Sequence, residues 1–249
     1  MLHFNEAGRG VPLVLLHAFP LSSEAFWPQL ERPPEGVRLI APDLPGFGQS
    51  PGRAGPLTME SMADDVLALM DTLELPNAFI GGVSMGGYVA LALTRQDPGR
   101  VRGLVLVDTQ ATADDEAGKA KRETTAKDVE AKGLSVLVDS MLPKLLAEGT
   151  SADIRARVKA LMERTSPAAA AGATRGMALR SDSKDILARF KGPALVVVGE
   201  ADAITPPAKA KAMADLVSGA KLEVIAGAAH LSNLDQPDAF TTAVSRYFR

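Results

Sequence analysis

The sequence predicts an α/β fold: a mostly parallel, twisted sheet with helices on both faces and a helical lid inserted between two strands. Three observations carry this. Five short apolar runs are β-branched and continuous: "VPLVLLH" (11–17), "VRLIA" (37–41), "AFIGGV" (78–83), "GLVLVD" (103–108) and "ALVVVG" (194–199). Continuous runs suit strands buried on both faces, whereas half-exposed strands alternate. Helical patterns fall between the runs, and such alternation builds a parallel sheet covered on both sides. Residues 109–187 break the rhythm, being rich in Ala, Lys, Glu and Met with no convincing strand.

Taken in order, the chain opens on "MLHFNEAGRG", where no basic stretch precedes an apolar one, so no signal peptide is expected. His3 is expected on a peripheral strand. In "TMESMADDVLALMDTLEL" (58–75), Met62, Val66, Met70 and Leu73 recur every three or four residues and share one helix face. "YVALALTRQ" (88–96) continues as a helix after the strand at 78–83. The division expected is a core of 1–108 and 188–249, with 109–187 as the lid. Within the lid, "KAKRETTAKDVEAK" (119–132) mixes charge signs as a solvated helix face does. "SPAAAAGATRG" (166–176) reads as a loose helix or hinge. "PPAKAKAMADLVSGA" (206–220) opens on proline and stops at glycine, the usual asymmetry of helix ends. "QPDAFTTAVSRYFR" (236–249) reads as a closing helix.

Composition narrows the function. The 249 residues suffice for one large α/β domain or two small ones, and 46% hydrophobic content supports a sizeable core. Lys plus Arg total 27 against 30 for Asp plus Glu, too balanced for a nucleic-acid footprint. The absence of cysteine excludes disulfides, thiolate metal sites and a cysteine nucleophile. No apolar run approaches the roughly 18 residues of a membrane span. The expectation is a soluble cytoplasmic protein with a small-molecule substrate, no cofactor, no metal, and neither nucleic acid nor membrane as partner.

The chemistry concentrates at "GGVSMGGYVALAL" (81–93). A tight turn needs glycine but no serine at its apex. "GVSMG" (82–86) matches G-x-S-x-G, with a buried strand before it and a helix after it. That context leaves the Ser84 hydroxyl exposed at a strand end, with helix N–H groups behind it. A serine needs a base, and the chain has three histidines. His3 lies at the N-terminus, and His17, between "LVLL" and "AFP", is placed to shape a turn. His230, in "GAAHLSNLDQP", follows the apolar "LEVIAG", at the carboxyl end of a strand, where open α/β sheets bind ligands. The imidazole needs a carboxylate on its other nitrogen. Asp202, in "VVVGEADAITPP" beside Glu200, and Asp108, ending "LVLVD", both leave strands at that edge; Asp202 is preferred because it gives the order Ser, Asp, His. An N-cap role for the helix near Pro206 falls to Thr205 rather than Asp202. Oxyanion donors are expected from the Met85 amide, next to the serine, and the Phe19 amide in "HAFP" (17–20).

These segments, "HAFPLSSEAFW", "PDLPGFGQS", "GVSMGG", "GEADAITP" and "GAAHLSNLDQP", resemble in order the motifs of the α/β-hydrolase superfamily, across the whole chain except the insertion. The resemblance implies the α/β-hydrolase fold, with Ser84 as nucleophile, Asp202 as acid, His230 as base, and the Phe19 and Met85 amides as oxyanion hole. It makes Asp43 structural. Ala18 departs from the glycine of many relatives. "AAHLSNLDQPDAF" is similar to 3-oxoadipate enol-lactonases, while "HAFPLSSEAFW", with Pro20, is similar to small carboxylesterases and cofactor-free haloperoxidases.

The function expected is hydrolysis of a small carboxylic ester or lactone through an acyl-enzyme. A perhydrolase or a C–C bond hydrolase would use the same residues, and a slow-turnover ligand receptor is the alternative of another class. Trp27, Met141, Met162 and Met177 are candidates for an adaptable apolar acyl pocket, with Phe26 beside Trp27. Arg175 and Arg180 are the candidates for an anion clamp.

Overall fold

The computed structural model describes residues 1–248. Its centre is a seven-stranded sheet formed by β1 (Phe4–Gly8), β2 (Val11–Leu16), β3 (Val37–Pro42), β4 (Ala78–Val83), β5 (Val101–Val107), β6 (Ala194–Gly199) and β7 (Lys221–Ile225). The spatial order is β1-β3-β2-β4-β5-β6-β7. β1 runs antiparallel to β3 and every other pairing is parallel. The five continuous apolar runs are the central strands β2 to β6. β4 and β6 are buried at every position, the burial that their lack of alternation predicts.

Helices α1 (Trp27–Glu31), α2 (Met59–Thr72) and α3 (Met85–Gln96) occupy the first half of the chain. Thr58 caps α2 by accepting the Ser61 amide on its hydroxyl, and Met62, Val66 and Met70 form its buried stripe. Between β5 and β6 the chain makes five helices and no strand: α4 (Glu116–Lys132), α5 (Ser135–Leu145), α6 (Ala152–Arg164), α7 (Pro167–Leu179) and α8 (Lys184–Arg189). α9 (Pro207–Ala214), the single turn α10 (Ser232–Asp235) and α11 (Pro237–Tyr247) follow. The boundary expected at residue 187 falls within α8, which Arg95 of α3 holds through Asp185.

α7 differs from the loose helix or hinge expected of its composition. Ala169 to Ala173 are all buried. Gly172 receives the Leu57 amide on its carbonyl at 3.0 Å. A Cβ at Gly176 would stand 1.8 Å from the Leu57 carbonyl oxygen. The small residues therefore let the helix lie directly on the backbone of the 55–58 segment. α4 keeps a mostly solvated face, burying Ala126 and Val129 alone.

Parallel pairing sets the strand ends level. Leu16 pairs with Gly82, Val83 with Val107, Val107 with Val197, and Gly199 with Ile225. The segments that follow these strands, beginning at His17, Ser84, Asp108, Glu200 and Ala226, thus emerge along one edge. Among the described residues no helix is long and apolar enough to cross a membrane.

Candidate active site

Ser84 occupies the turn from β4 into α3 with φ +53° and ψ −112°. A non-glycine residue with positive φ carries strain of order 1–3 kcal/mol and persists where its surroundings over-determine it. Here the Ser84 amide donates to the Val107 carbonyl at 2.9 Å, and the Thr109 hydroxyl donates to the Ser84 carbonyl at 2.8 Å. The glycines serve close approach. A Cβ on Gly82 would lie 2.0 Å from the Gly86 carbonyl carbon, and one on Gly86 would lie 2.2 Å from the Leu16 carbonyl oxygen. α3 thus starts against the end of β2.

The Ser84 Oγ lies 2.8 Å from Nε2 of His230, and Nδ1 of the same ring lies 2.8 Å from Oδ2 of Asp202. His230 and Asp202 are buried, while Ser84 keeps partial exposure. Asp202 also accepts the Ile204 and Thr205 amides on Oδ1 at 2.8 and 2.9 Å and the Thr205 hydroxyl on Oδ2 at 2.7 Å. Burial works against its ionised form. The hydrogen bond and charge of His230, with the Thr205 donors, outweigh that and hold the carboxyl below the usual carboxylate range. An ionised carboxylate on Nδ1 leaves the lone pair of Nε2 facing the serine hydroxyl, the arrangement in which imidazole can take its proton.

Thr205 departs from the expectation that it caps the following helix. Pro206 holds the N-cap position of α9, and the Thr205 hydroxyl turns to Asp202 and stands 3.3 Å from Nδ1 of His230. The turn was readable in part, since an Asp accepting amides two and three residues on is a common side-chain-closed turn. The hydroxyl's second partner, 25 residues away, was not.

The other carboxylate considered, Asp108, meets Gly199 and Ser232 instead of the imidazole. Its Oδ1 accepts the Gly199 amide at 2.8 Å, and its Oδ2 accepts the Ser232 amide at 3.0 Å and hydroxyl at 2.6 Å. Complete burial raises its pKa to about 7, against the lowering effects of His230 and these donors. Glu200 is exposed and accepts the Gly227 amide.

His17 is fully buried, and burial lowers its pKa, so the ring is neutral. Nε2 accepts the Leu44 amide at 3.0 Å, which leaves Nδ1 to donate to the Ala18 carbonyl at 3.0 Å. The ring thereby fastens the loop after β2 to the end of β3. His3 pairs through Nδ1 with Asp43, whose carboxylate also accepts the Ser23 and Gln49 amides. Phe19 is buried in the loop after β2, and Met85 is the first residue of α3. Among the described residues, no hydrogen bond is made by the Phe19 or Met85 amide to another backbone group.

The pocket candidates divide. Trp27 is half-buried with the Arg157 guanidinium 4.1 Å above its ring, and Met141 is half-buried on α5. Met162 and Phe26 are buried core residues. Met177 is buried at the end of α7, its sulfur 3.5 Å from Nη1 of Arg122 and its carbonyl accepting Arg180. The two candidate arginines for an anion clamp are committed elsewhere. Arg175 is paired with Glu123 and Glu130 of α4. Arg180 is buried against Asp114, the Thr112 and Met177 carbonyls and the Tyr88 ring. Among the described residues, no cluster of three or more His, Asp or Glu could hold a metal ion.

A parallel sheet whose central strand turns through a strained serine into a helix is the architecture of α/β enzymes that react substrates at the carboxyl edge. The chain belongs to the alpha/beta hydrolase fold family, whose model matches residues 11–237. It is 38% identical to a thermophilic esterase from Thermogutta terrifontis, solved with malate bound, over 100% of this chain and 93% of that one, with a TM-score of 0.97. It is 29% identical to 3-oxoadipate enol-lactonase 2 of Acinetobacter baylyi, covering 83% of this chain and 76% of that protein. It is 32% identical to the pimeloyl-acyl-carrier-protein methyl ester esterase of Neisseria meningitidis serogroup C, covering 91% and 89%.

Proposed function

We propose that this chain is a carboxylic ester hydrolase that cleaves a small ester or lactone through an acyl-enzyme on Ser84. The observation that carries the reading is the unbroken chain of contacts from the Ser84 hydroxyl through both nitrogens of His230 to Asp202. Esterases and an enol-lactonase among the relatives support it.

In this reading the Ser84 Oγ attacks the carbonyl carbon while Nε2 of His230 takes the hydroxyl proton. The tetrahedral oxyanion meets the amides of Met85 and Phe19, donors worth about 3 kcal/mol each of barrier. Collapse breaks the ester C–O bond, and the imidazolium returns its proton to the leaving alkoxide. Water then attacks the acyl carbonyl, His230 takes its proton, and the acid leaves as that proton returns to Oγ. Asp202 holds the ring in the tautomer that leaves Nε2 free and stabilises the imidazolium in both halves. Helices α4 to α7 serve as the lid over this edge. Of the four candidates for an apolar acyl wall, Trp27 and Met141 keep surface for a substrate to cover, whereas Met162 and Met177 are buried in packing. With Arg175 and Arg180 paired inside the insertion, the reading favours neutral or singly charged acyl groups.

The test is turnover of short-chain p-nitrophenyl esters and lactones by the wild type and Ser84→Ala, with fluorophosphonate labelling. Ser84→Ala should lose at least about 10³-fold in kcat with unchanged folding, and labelling should fall on Ser84. Retention of more than a few per cent of turnover would require another nucleophile. Peracid formation from acetate and peroxide in preference to ester hydrolysis would instead favour the perhydrolase chemistry. Ligand-induced stabilisation without any turnover would favour a receptor.

A further inference from the structure

His230 stands between two residues whose amides are held, directly or through one side chain, by the helical insertion. The Leu231 amide donates to the carbonyl of Leu145, the last residue of α5, at 2.9 Å. The Ala229 amide donates to Oδ2 of Asp235 at 2.7 Å, and that same oxygen accepts the Ala147 amide at 3.0 Å. The other oxygen of Asp235 accepts the Thr150 hydroxyl. From the far side, Arg155 of α6 donates to the carbonyls of Ala147, Glu148 and Thr150. The 146–150 segment is therefore gripped twice, its amide and hydroxyl donors by a carboxylate of the core and its carbonyls by a guanidinium of the insertion.

These bonds are charge-assisted, which makes them roughly twice as strong as neutral ones. The segment they fix is 85 residues or more from Asp235 along the chain, so nothing local requires the contact. We infer that Asp235 is a positioning residue that ties the 146–150 segment to the loop carrying His230, so that the insertion sets where the imidazole stands. The inference rests on the proposed role of His230 as base. A shift of the α5–α6 connection is transmitted to both neighbours of that histidine, and a lid moving at this point would move the base with it.

The experiment measures kcat and KM on a p-nitrophenyl ester, the rate and final stoichiometry of fluorophosphonate labelling, and Tm for three variants. Asp235→Ala should lower kcat and the labelling rate at least tenfold, with KM changed less than twofold and labelling still reaching the wild-type stoichiometry. Asp235→Asn should recover to within about threefold of wild type, since its carbonyl can face the two amides and its NH₂ the Thr150 hydroxyl, which can accept. Thr150→Val, which removes one hydrogen bond to Asp235 and changes no residue of the core, should lower kcat several-fold at constant KM. A purely structural role would move Tm and stoichiometry without moving the rate per labelled site. Asp235→Ala or Thr150→Val with wild-type kcat and labelling rate overturns the inference. If Asp235→Ala does not fold, Asp235→Asn and Thr150→Val decide it by the same criteria. A wild type that neither turns over esters nor labels at Ser84 would remove the underlying reading and this inference together, whereas an active wild type with unimpaired variants removes this one alone.

Discussion

Asp108 and Ser232 lie 124 residues apart and share two hydrogen bonds, the Ser232 amide and hydroxyl both donating to one carboxylate oxygen. Its other oxygen accepts the amide of Gly199, at the end of β6. One buried side chain thus joins the strand that leads to Asp202 with the loop that carries His230. Its work is to hold the two partners at one spacing, whereas Asp202 meets the imidazole itself.

That division separates the two aspartates kinetically. Asp202→Asn exchanges an acceptor on Nδ1 for a group that can present N–H to it, favouring the wrong tautomer. Turnover should fall on the order of 10⁴-fold. Asp108→Asn keeps one acceptor and should cost about tenfold in kcat, with KM little changed. The comparison is made by steady-state kinetics on one ester. Equal losses in the two variants would place Asp108 in the proton-transfer chain.

Asp108 also ties stability to pH. Burial raises its pKa from 3.8 to about 7 in the folded protein. In that interval the folded state holds a proton that the unfolded chain has released. The favourable contribution is complete below pH 3.8 and is lost as pH rises to about 7. Measured against Asp108→Asn, which cannot ionise, wild-type Tm should decline by several degrees across this range and then level off. A relative Tm that is flat or rising across it would show that Asp108 titrates in the ordinary carboxylate range.

The sheet was legible in the sequence because its central strands are buried on both faces and so lack polar punctuation. The edges were less so. β1, "FNEAG", and β7, "KLEVI", carry polar and exposed positions, with Leu222 and Val224 open to solvent. Ser84 and His230 stood out because a strand–turn–helix context and three histidines leave few choices. Chain order alone favours Asp202 over Asp108, since both leave parallel strands at the same edge; the turn through Ile204 and Thr205 places the Asp202 carboxylate on the ring. The partners of the two arginines are hidden from the sequence for a related reason. Glu123, Glu130 and Asp114 meet Arg175 and Arg180 through tertiary packing that no local pattern reports.

Gly86 offers a test of the turn that carries Ser84. A methyl group there would press on the Leu16 carbonyl oxygen from 2.2 Å, and that oxygen belongs to the backbone of β2 and cannot swing aside. α3 must then retreat from β2, at about 1–3 kcal/mol for overpacking. The Met85 amide retreats with it. Gly86→Ala should therefore lower Tm and reduce kcat about 10²-fold, the loss expected when one donor of the proposed oxyanion hole is misplaced. Thermal melts and kinetics at a temperature well below Tm check both. A variant with wild-type Tm and kcat would mean that the start of α3 yields without moving its amides.

The last relationship lies where the insertion leaves the core. Asp114 accepts Arg180 and Arg122, and Arg180 lies over the Tyr88 ring of α3. Burial disfavours the carboxylate, but the two guanidinium groups more than offset this and hold its pKa down to about 2. A depressed pKa gives stability that is present above the unfolded value of 3.8 and lost as pH falls through about 2. At neutral pH, Asp114→Asn leaves the Arg180 charge buried with neutral partners only. The expected cost is about 3 kcal/mol, or roughly 6–12 °C in Tm for a chain of this size. The difference between wild type and variant should shrink as the pH is lowered from 3.8 towards 2, because the wild-type carboxylate then becomes neutral too. Equal melting temperatures at neutral pH would mean that the Thr112 and Met177 carbonyls and the Tyr88 ring hold Arg180 unaided, leaving the root of the insertion independent of Asp114.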